Sequence, residues 1–133
     1  MNLAEVLHQR WAATAALNDL LPASSVHTGP GVERTTPQAV ITKQSDRPDV
    51  YLSDGSSLNS VGVRIQIFHD SYDSAVAVLQ QVRTAFDRTE FDLAGSDKVI
   101  NMRRANDFED RQDDGTWRLT IDFDCTVYLD GEA

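Results

Sequence analysis

Fourteen consecutive residues near the C-terminal end constrain this chain most. In Thr116-Trp-Arg-Leu-Thr-Ile-Asp-Phe-Asp-Cys-Thr-Val-Tyr-Leu129, every second side chain from Trp117 to Leu129 is apolar, and those between are polar or amphipathic. Strands alternate faces with period two, so the pattern predicts one long strand with a dry side and a wet side. Such a strand cannot stand alone. It needs neighbours along both edges and a layer packed on its dry face.

The nearest neighbour is the segment before it. Residues 97–109 read as a strand that turns at Asp113-Asp114-Gly115. A four-residue loop Gln112–Gly115 sets Arg111 opposite Thr116. Ile100, Met102 and Phe108 then join Val127, Cys125 and Leu119 on the dry side. The wet side opposes Arg103 to Asp124 and Glu109 to Arg118, and opposite charges so placed favour this register by roughly 0.2–1 kcal/mol per pair. A two-residue Asp114-Gly115 turn would instead oppose Arg111 to Arg118 and Asp107 to Asp122.

Upstream, Leu3, Val6, Leu7, Trp11, Thr14, Leu17 and Leu21 recur at helical spacing and predict a helix over 3–21, ended by Pro22. Residues 22–37 are rich in Pro and Gly, with a short strand expected around Val26. Residues 38–44 read as a strand and 45–60 as a polar loop, a length that points to function or flexibility. Val61, Val63, Ile65 and Ile67 alternate as a further strand. Asp70 or Ser71 then caps a helix over 72–87 whose stripe is Ala75, Val78, Leu79, Val82 and Phe86. The expected fold is α+β: a mainly antiparallel sheet of four to five strands with two helices packed on one face.

At 133 residues and 14.8 kDa, with 41% apolar residues, the chain is long enough for one domain spanning 1–133 with a single core. No run approaches the roughly 20 apolar residues of a membrane span, so no membrane partner is expected. Met-Asn-Leu-Ala-Glu-Val-Leu-His lacks the basic n-region and apolar h-region of a signal peptide, so none is expected. The single cysteine, Cys125, alternates into the dry face and reads as a small core residue of a reducing compartment. Net charge is −9, and residues 105–133 hold nine Asp or Glu against two Arg. So acidic a chain gains little from counterion release, which disfavours ordinary nucleic-acid binding.

Residues that could carry chemistry are sparse. His8, His27 and His69 are scattered, and Asp70 and Asp73 beside His69 suit the first turn of a helix better than a metal. An EF-hand frame begun at Asp110 places Gln112, Asp114 and Gly115 at positions 3, 5 and 6. Its twelfth position is Ile121, where a bidentate Glu is required. Gly29-Pro30-Gly31 lacks the third glycine of a phosphate loop, and Ser53-Asp54-Gly55-Ser56 lacks the strand–elbow–helix setting of a nucleophile. No cofactor, metal or catalytic residue is expected.

The order of helix, strand, polar segment, strand, helix and acidic hairpin resembles the tail-completion, or tail-terminator, proteins of long-tailed bacteriophages and prophages. Three segments carry the resemblance. Thr14-Ala-Ala-Leu-Asn-Asp-Leu-Leu leads into a Pro/Gly-rich connection. Val63-Arg-Ile-Gln-Ile-Phe-His-Asp-Ser-Tyr-Asp-Ser-Ala-Val-Ala-Val-Leu delivers a strand into a helix. Residues 102–123 run from an arginine pair through acids and a turn to an aromatic strand with Asp122-Phe123. The resemblance implies an α+β subunit of the virion tail, assembled in the host cytoplasm. Copies would form a ring, usually a hexamer, on the head-proximal end of the tail tube. The ring would end tube growth and offer a surface to the head–tail connector, with DNA passing through unbound. Partners implied are therefore further copies of itself, the tail tube protein and the connector protein.

On that reading the candidate interface or channel residues are Asp46, Asp49 and Asp54 in the polar segment, with Arg103, Arg104, Asp107, Glu109, Asp110, Asp113 and Asp114 in the acidic hairpin. A negative lumen keeps a duplex from adhering to the wall. The competing readings are another head–tail connector or minor capsid component, a small enzyme or ligand-binding domain, and an acidic inhibitor that mimics DNA.

Overall fold

The alternating stretch forms the strand Trp117–Leu129 in the interior of a six-stranded sheet. It is seen in a computed structural model that describes residues 3–29, 36–93 and 95–130. In chain order the elements are α1 (Leu3–Ala13), α2 (Ala15–Leu20), β1 (Val26–Thr28), β2 (Gln38–Tyr51), β3 (Ser57–His69), α3 (Tyr72–Phe86), β4 (Thr89–Asp92), β5 (Lys98–Arg111) and β6 (Trp117–Leu129). A 3-10 turn at Ala23–Ser25 leads into β1. The strands lie in the order β1-β2-β3-β6-β5-β4, all neighbours antiparallel except the parallel pair β1 and β2.

β3 and β6 make the spine, with unbroken register from Ser57 opposite Leu129 to His69 opposite Trp117. In both strands alternate residues, Val61, Val63, Ile65 and Ile67 on β3 and Leu119, Ile121, Phe123, Cys125 and Val127 on β6, are buried on one face. The helices cover that face, α1 over β1 and β2, α3 over β3, β6 and β5. α3 presents Ala75, Val78, Val82 and Phe86, and Phe86 meets Phe123 edge-on at 6.3 Å between ring centroids. Fully burying a side chain of this size is worth about 1.5–3 kcal/mol, so this layer supplies most of the drive to fold.

Several expectations are corrected. The sheet has six strands rather than four to five, and β1 makes it mixed. There are three α-helices rather than two, because the stretch over 3–21 breaks at Thr14, whose backbone is extended. There the Asn18 amide bonds the Trp11 carbonyl, and the Trp11 indole donates to the Leu21 carbonyl at 2.9 Å. These bonds pin two short helices at an angle one straight helix could not adopt.

The polar segment 45–60 is not a loop. β2 continues to Tyr51 and β3 begins at Ser57, so only five residues turn between them. Both faces of this hairpin end are largely wet, which erased the alternation that marks a half-buried strand. β4 went unforeseen because Thr89-Glu-Phe-Asp92 is too short to show a period. The capping residue is Ser71, whose hydroxyl accepts from the Ser74 amide, while Asp70 accepts a bond from the Thr36 hydroxyl. The Gly29-Pro30-Gly31 motif runs outside the described residues beyond Gly29.

The register of the last hairpin is half right. Met102 lies opposite Cys125 and Arg103 opposite Asp124, as expected. Bulges at Ile100 and Ala105 then shift the pairing, so Asp110 rather than Glu109 faces Arg118, and Glu109 faces Leu119. Val99, not Ile100, is buried, while Ile100 and Phe108 are exposed.

Candidate assembly surfaces

Antiparallel pairing of β3 with β6 sends the two hairpin tips to opposite ends of the sheet. Each tip is a five-residue turn built the same way. In the first, the Leu52 amide donates to the Ser56 carbonyl at 2.8 Å and the Gly55 amide to Leu52 at 3.1 Å. In the second, Gln112 donates to Thr116 at 2.8 Å and Gly115 to Gln112 at 2.9 Å. An aspartate locks each turn from within, Asp54 accepting from the Ser56 amide and Asp114 from the Thr116 amide, both at 2.9 Å. Gly55 and Gly115 take φ of +91° and +89°, a conformation that penalises any residue with a Cβ. The Ser56 bonds, from hydroxyl and amide, hold the Asp54 carboxyl below its ordinary pKa.

The surfaces of the two tips differ. Around the first, Val50, Tyr51 and Leu52 stand exposed, Tyr51 at 75%. Around the second, Asp113 and Asp114 are exposed, and the strands below are braced by side chains. Tyr72 at the start of α3 stacks on Trp117 at 4.7 Å and donates to Glu109 at 2.8 Å, which pushes the phenol pKa up. The Arg111 guanidinium lies 5.6 Å above the Trp117 ring.

The sheet face away from the helices carries paired charges. Arg64 on β3 grips Asp122 on β6 through two bonds, at 2.8 and 3.1 Å, which raises the arginine pKa. Arg118 grips Asp110 in the same manner at 2.9 and 2.8 Å. The Phe108 ring lies against the Arg64 guanidinium at 5.5 Å. Toward the first tip, Gly62 floors a depression of about 390 Å³ between Arg47 and Arg103. A Cβ on Gly62 would come within 2.8 Å of the Ser45 hydroxyl.

The ten residues singled out from the sequence therefore fall into several places. Asp46 pairs with Lys43 at 3.2 Å and Asp49 with Arg47 at 3.5 Å, both on β2 rather than in a loop. Asp49 also accepts a bond from the Ser60 hydroxyl, while Asp54 sits in the turn. Arg103 lies on the open face opposite Asp124. On β5, Arg104 pairs with Asp107 at 3.2 Å, and its amide donates to Asp87. Glu109 and Asp110 have the partners given above, and Asp113 and Asp114 form the second tip. So the acidic hairpin is one place, but its carboxylates are largely engaged in holding it together. The exposed Val50-Tyr51-Leu52 cluster was overlooked, although an apolar triplet between Pro48 and Asp54-Gly55 is itself a signal of an apolar tip.

Among the described residues, no group of His, Cys, Asp or Glu could hold a metal, and no helix is long and apolar enough to cross a membrane. Cys125 is buried, and its thiol is pushed up to about 12 by desolvation. The fold defines a sheet-based α+β protein whose distinctive features are its two unlike ends. The family model described as "Tail completion protein gp17" matches residues 5–128, and the chain belongs to that family. Among solved structures, it is similar to a chain titled "Virion of native gene transfer agent (GTA) particle". The two share 14% identity and superpose with a TM-score of 0.75, covering 96% of this chain and 95% of that one. At that identity the likeness is one of fold. No curated protein matches the chain significantly.

Proposed function

We propose that this protein is a structural, non-enzymatic subunit of a phage-type tail. Copies form a ring on the head-proximal end of the tail tube, halt its growth, and offer the opposite surface to the head–tail connector. The observation that carries this reading is the pair of unlike tips at opposite ends of one sheet, because a subunit that joins two different structures needs two dissimilar contact ends. Membership of the tail completion family and a fold shared with a virion chain support it. A charge of −9 per copy fits a ring through which DNA passes, since like charge keeps the duplex off the wall.

Permanent interfaces are more apolar than transient ones, so the Val50-Tyr51-Leu52 tip is assigned to the tube. The acidic tip is assigned to the connector. A Tyr51→Ser/Leu52→Ser variant should melt like the unaltered protein yet leave tubes of uncontrolled length. Asp113→Asn/Asp114→Asn should cap tubes normally and fail to join heads. Electron micrographs of tail lengths and of head-joined particles measure both outcomes. Normal tails and full particle yield from both variants would sink the assignment.

A further inference from the structure

The sheet is left open along two stretches whose positions are complementary. β1 covers β2 only at Ala39–Ile41, so residues 42–51 of β2 have no strand beyond them among the described residues. β4 covers β5 only as far as Met102, so residues 103–111 are open in the same sense. β2 begins at the acidic end of the sheet and β5 at the apolar end. One edge therefore steps outward at the acidic end, where β1 lies, and the other steps outward at the apolar end, where β4 lies. Two copies standing side by side in the same orientation fit step into recess. β1 of one comes to the open stretch of β5 in the next, and β4 comes to the open stretch of β2.

The two recesses are not equally receptive. That of β2 has bulges on either side of Ser45–Pro48, and Pro48 has no N–H to give, both devices that discourage pairing at an edge. That of β5 runs from Asn106 to Arg111 in unbroken register with β6 and contains no proline. The Gln112 amide points across the hairpin to Thr116. Amides in an antiparallel ladder alternate in direction, so those of Arg111, Glu109 and Asp107 point to the free edge. The Asp107 and Glu109 side chains share the helix-covered side with Ile121 and Leu119, their partners across the ladder. On that same side, β1 and α1 border a groove of about 420 Å³ lined by Thr28, Gln9 and Glu5, while the His27 side chain alternates to the other face.

We infer that the open stretch of β5 takes β1 of a second copy, so that successive copies join edge to edge. The inference rests on the ring reading above and deepens it by naming the joint. The contact is heterologous, and it closes into a ring when the rotation between copies allows. Closure covers the edge that would otherwise invite uncontrolled association.

Disulfide trapping in the full-length protein tests this. Within one chain, β1 and β5 are four strand spacings apart, about 19 Å, far beyond the roughly 7 Å between Cα atoms that a disulfide spans. Any bond between cysteines placed on them must therefore join two chains. The native Cys125 is buried and does not compete. Two double variants, Thr28→Cys/Glu109→Cys and Thr28→Cys/Asp107→Cys, place both cysteines on the helix-covered side and sample registers two residues apart. After oxidation with copper phenanthroline, at least one should give a ladder on a non-reducing gel, ending at the ring size seen for the unaltered protein by electron microscopy. The single variants should stay uncrosslinked. Strong dimerisation of Glu109→Cys alone would mean that two β5 edges meet, and overturns the inference. Rings on micrographs without a ladder from either double variant overturn the joint and leave the ring standing. Monomers on micrographs overturn both.

Discussion

The β2–β3 and β5–β6 hairpins are built alike and finished differently. They have nearly equal strands, the same five-residue turn, an aspartate locking each turn, and a glycine at positive φ in each. The second is braced near its tip against the start of α3, by Tyr72, Trp117 and Arg111, and by Arg118 on Asp110, whereas the first is tied across its strands by the Ser60 hydroxyl on Asp49. The first ends in exposed Val50, Tyr51 and Leu52. Turn chemistry is thus a shared frame on which tip chemistry varies freely, because side chains at a tip touch solvent and not the core. That freedom lets one small fold present unlike surfaces at its two ends.

The largest expected effect lies where the hairpins share a core. Phe123→Ala on β6, which removes the contact with Phe86, should cost about 3–5 kcal/mol in denaturant unfolding. Phe108→Ala, on the open side and 44% exposed, should cost much less, and equal losses would refute the assignment of the two faces. Next come the turns. Gly55→Ala and Gly115→Ala should each lose about 1–2 kcal/mol, since both force a Cβ into a left-handed conformation. A large inequality between them would break the equivalence of the two turns.

A double-mutant cycle on Arg64 and Asp122, which tie one hairpin to the other, should show a coupling of about 1 kcal/mol. The cycle on Arg118 and Asp110, within one hairpin and with a more exposed carboxylate, should give less. The smallest effect is on acidification. The Asp54 carboxyl is held below its ordinary value of 3.8, so its contribution is complete above that pH and is lost as pH falls through the lowered value. Amide exchange at Ser56 should quicken in that window, and protection unchanged down to pH 2 would remove Asp54 as the lock.

Much of this was legible in the chain. The spine strands and α3 announce themselves because one face of each is buried, which forces apolar residues to recur at the element's period. Each miss has a physical cause. The outer half of β2 is wet on both faces, so no period marks it, and its strand character comes from the ladder with β3. Ile100 and Phe108 were assigned to the dry side because a bulge adds one residue without altering composition, and everything beyond it changes face. The acidic residues of the site were found as a cluster, but their pairing with Arg118, Arg104 and Tyr72 depends on that shifted register.

By itself the sequence determined the alternation of β3 and β6, the stripe of α3, the acidic turn and the acidic imbalance, all local consequences of side-chain chemistry and chain period. Only the tertiary structure decided that the two turns point to opposite ends, that the strand edges step in complementary senses, and that the most exposed apolar cluster crowns the hairpin opposite the acidic one. Those are relations between segments distant along the chain. They arise when the shared core brings strands side by side, and no residue carries them alone.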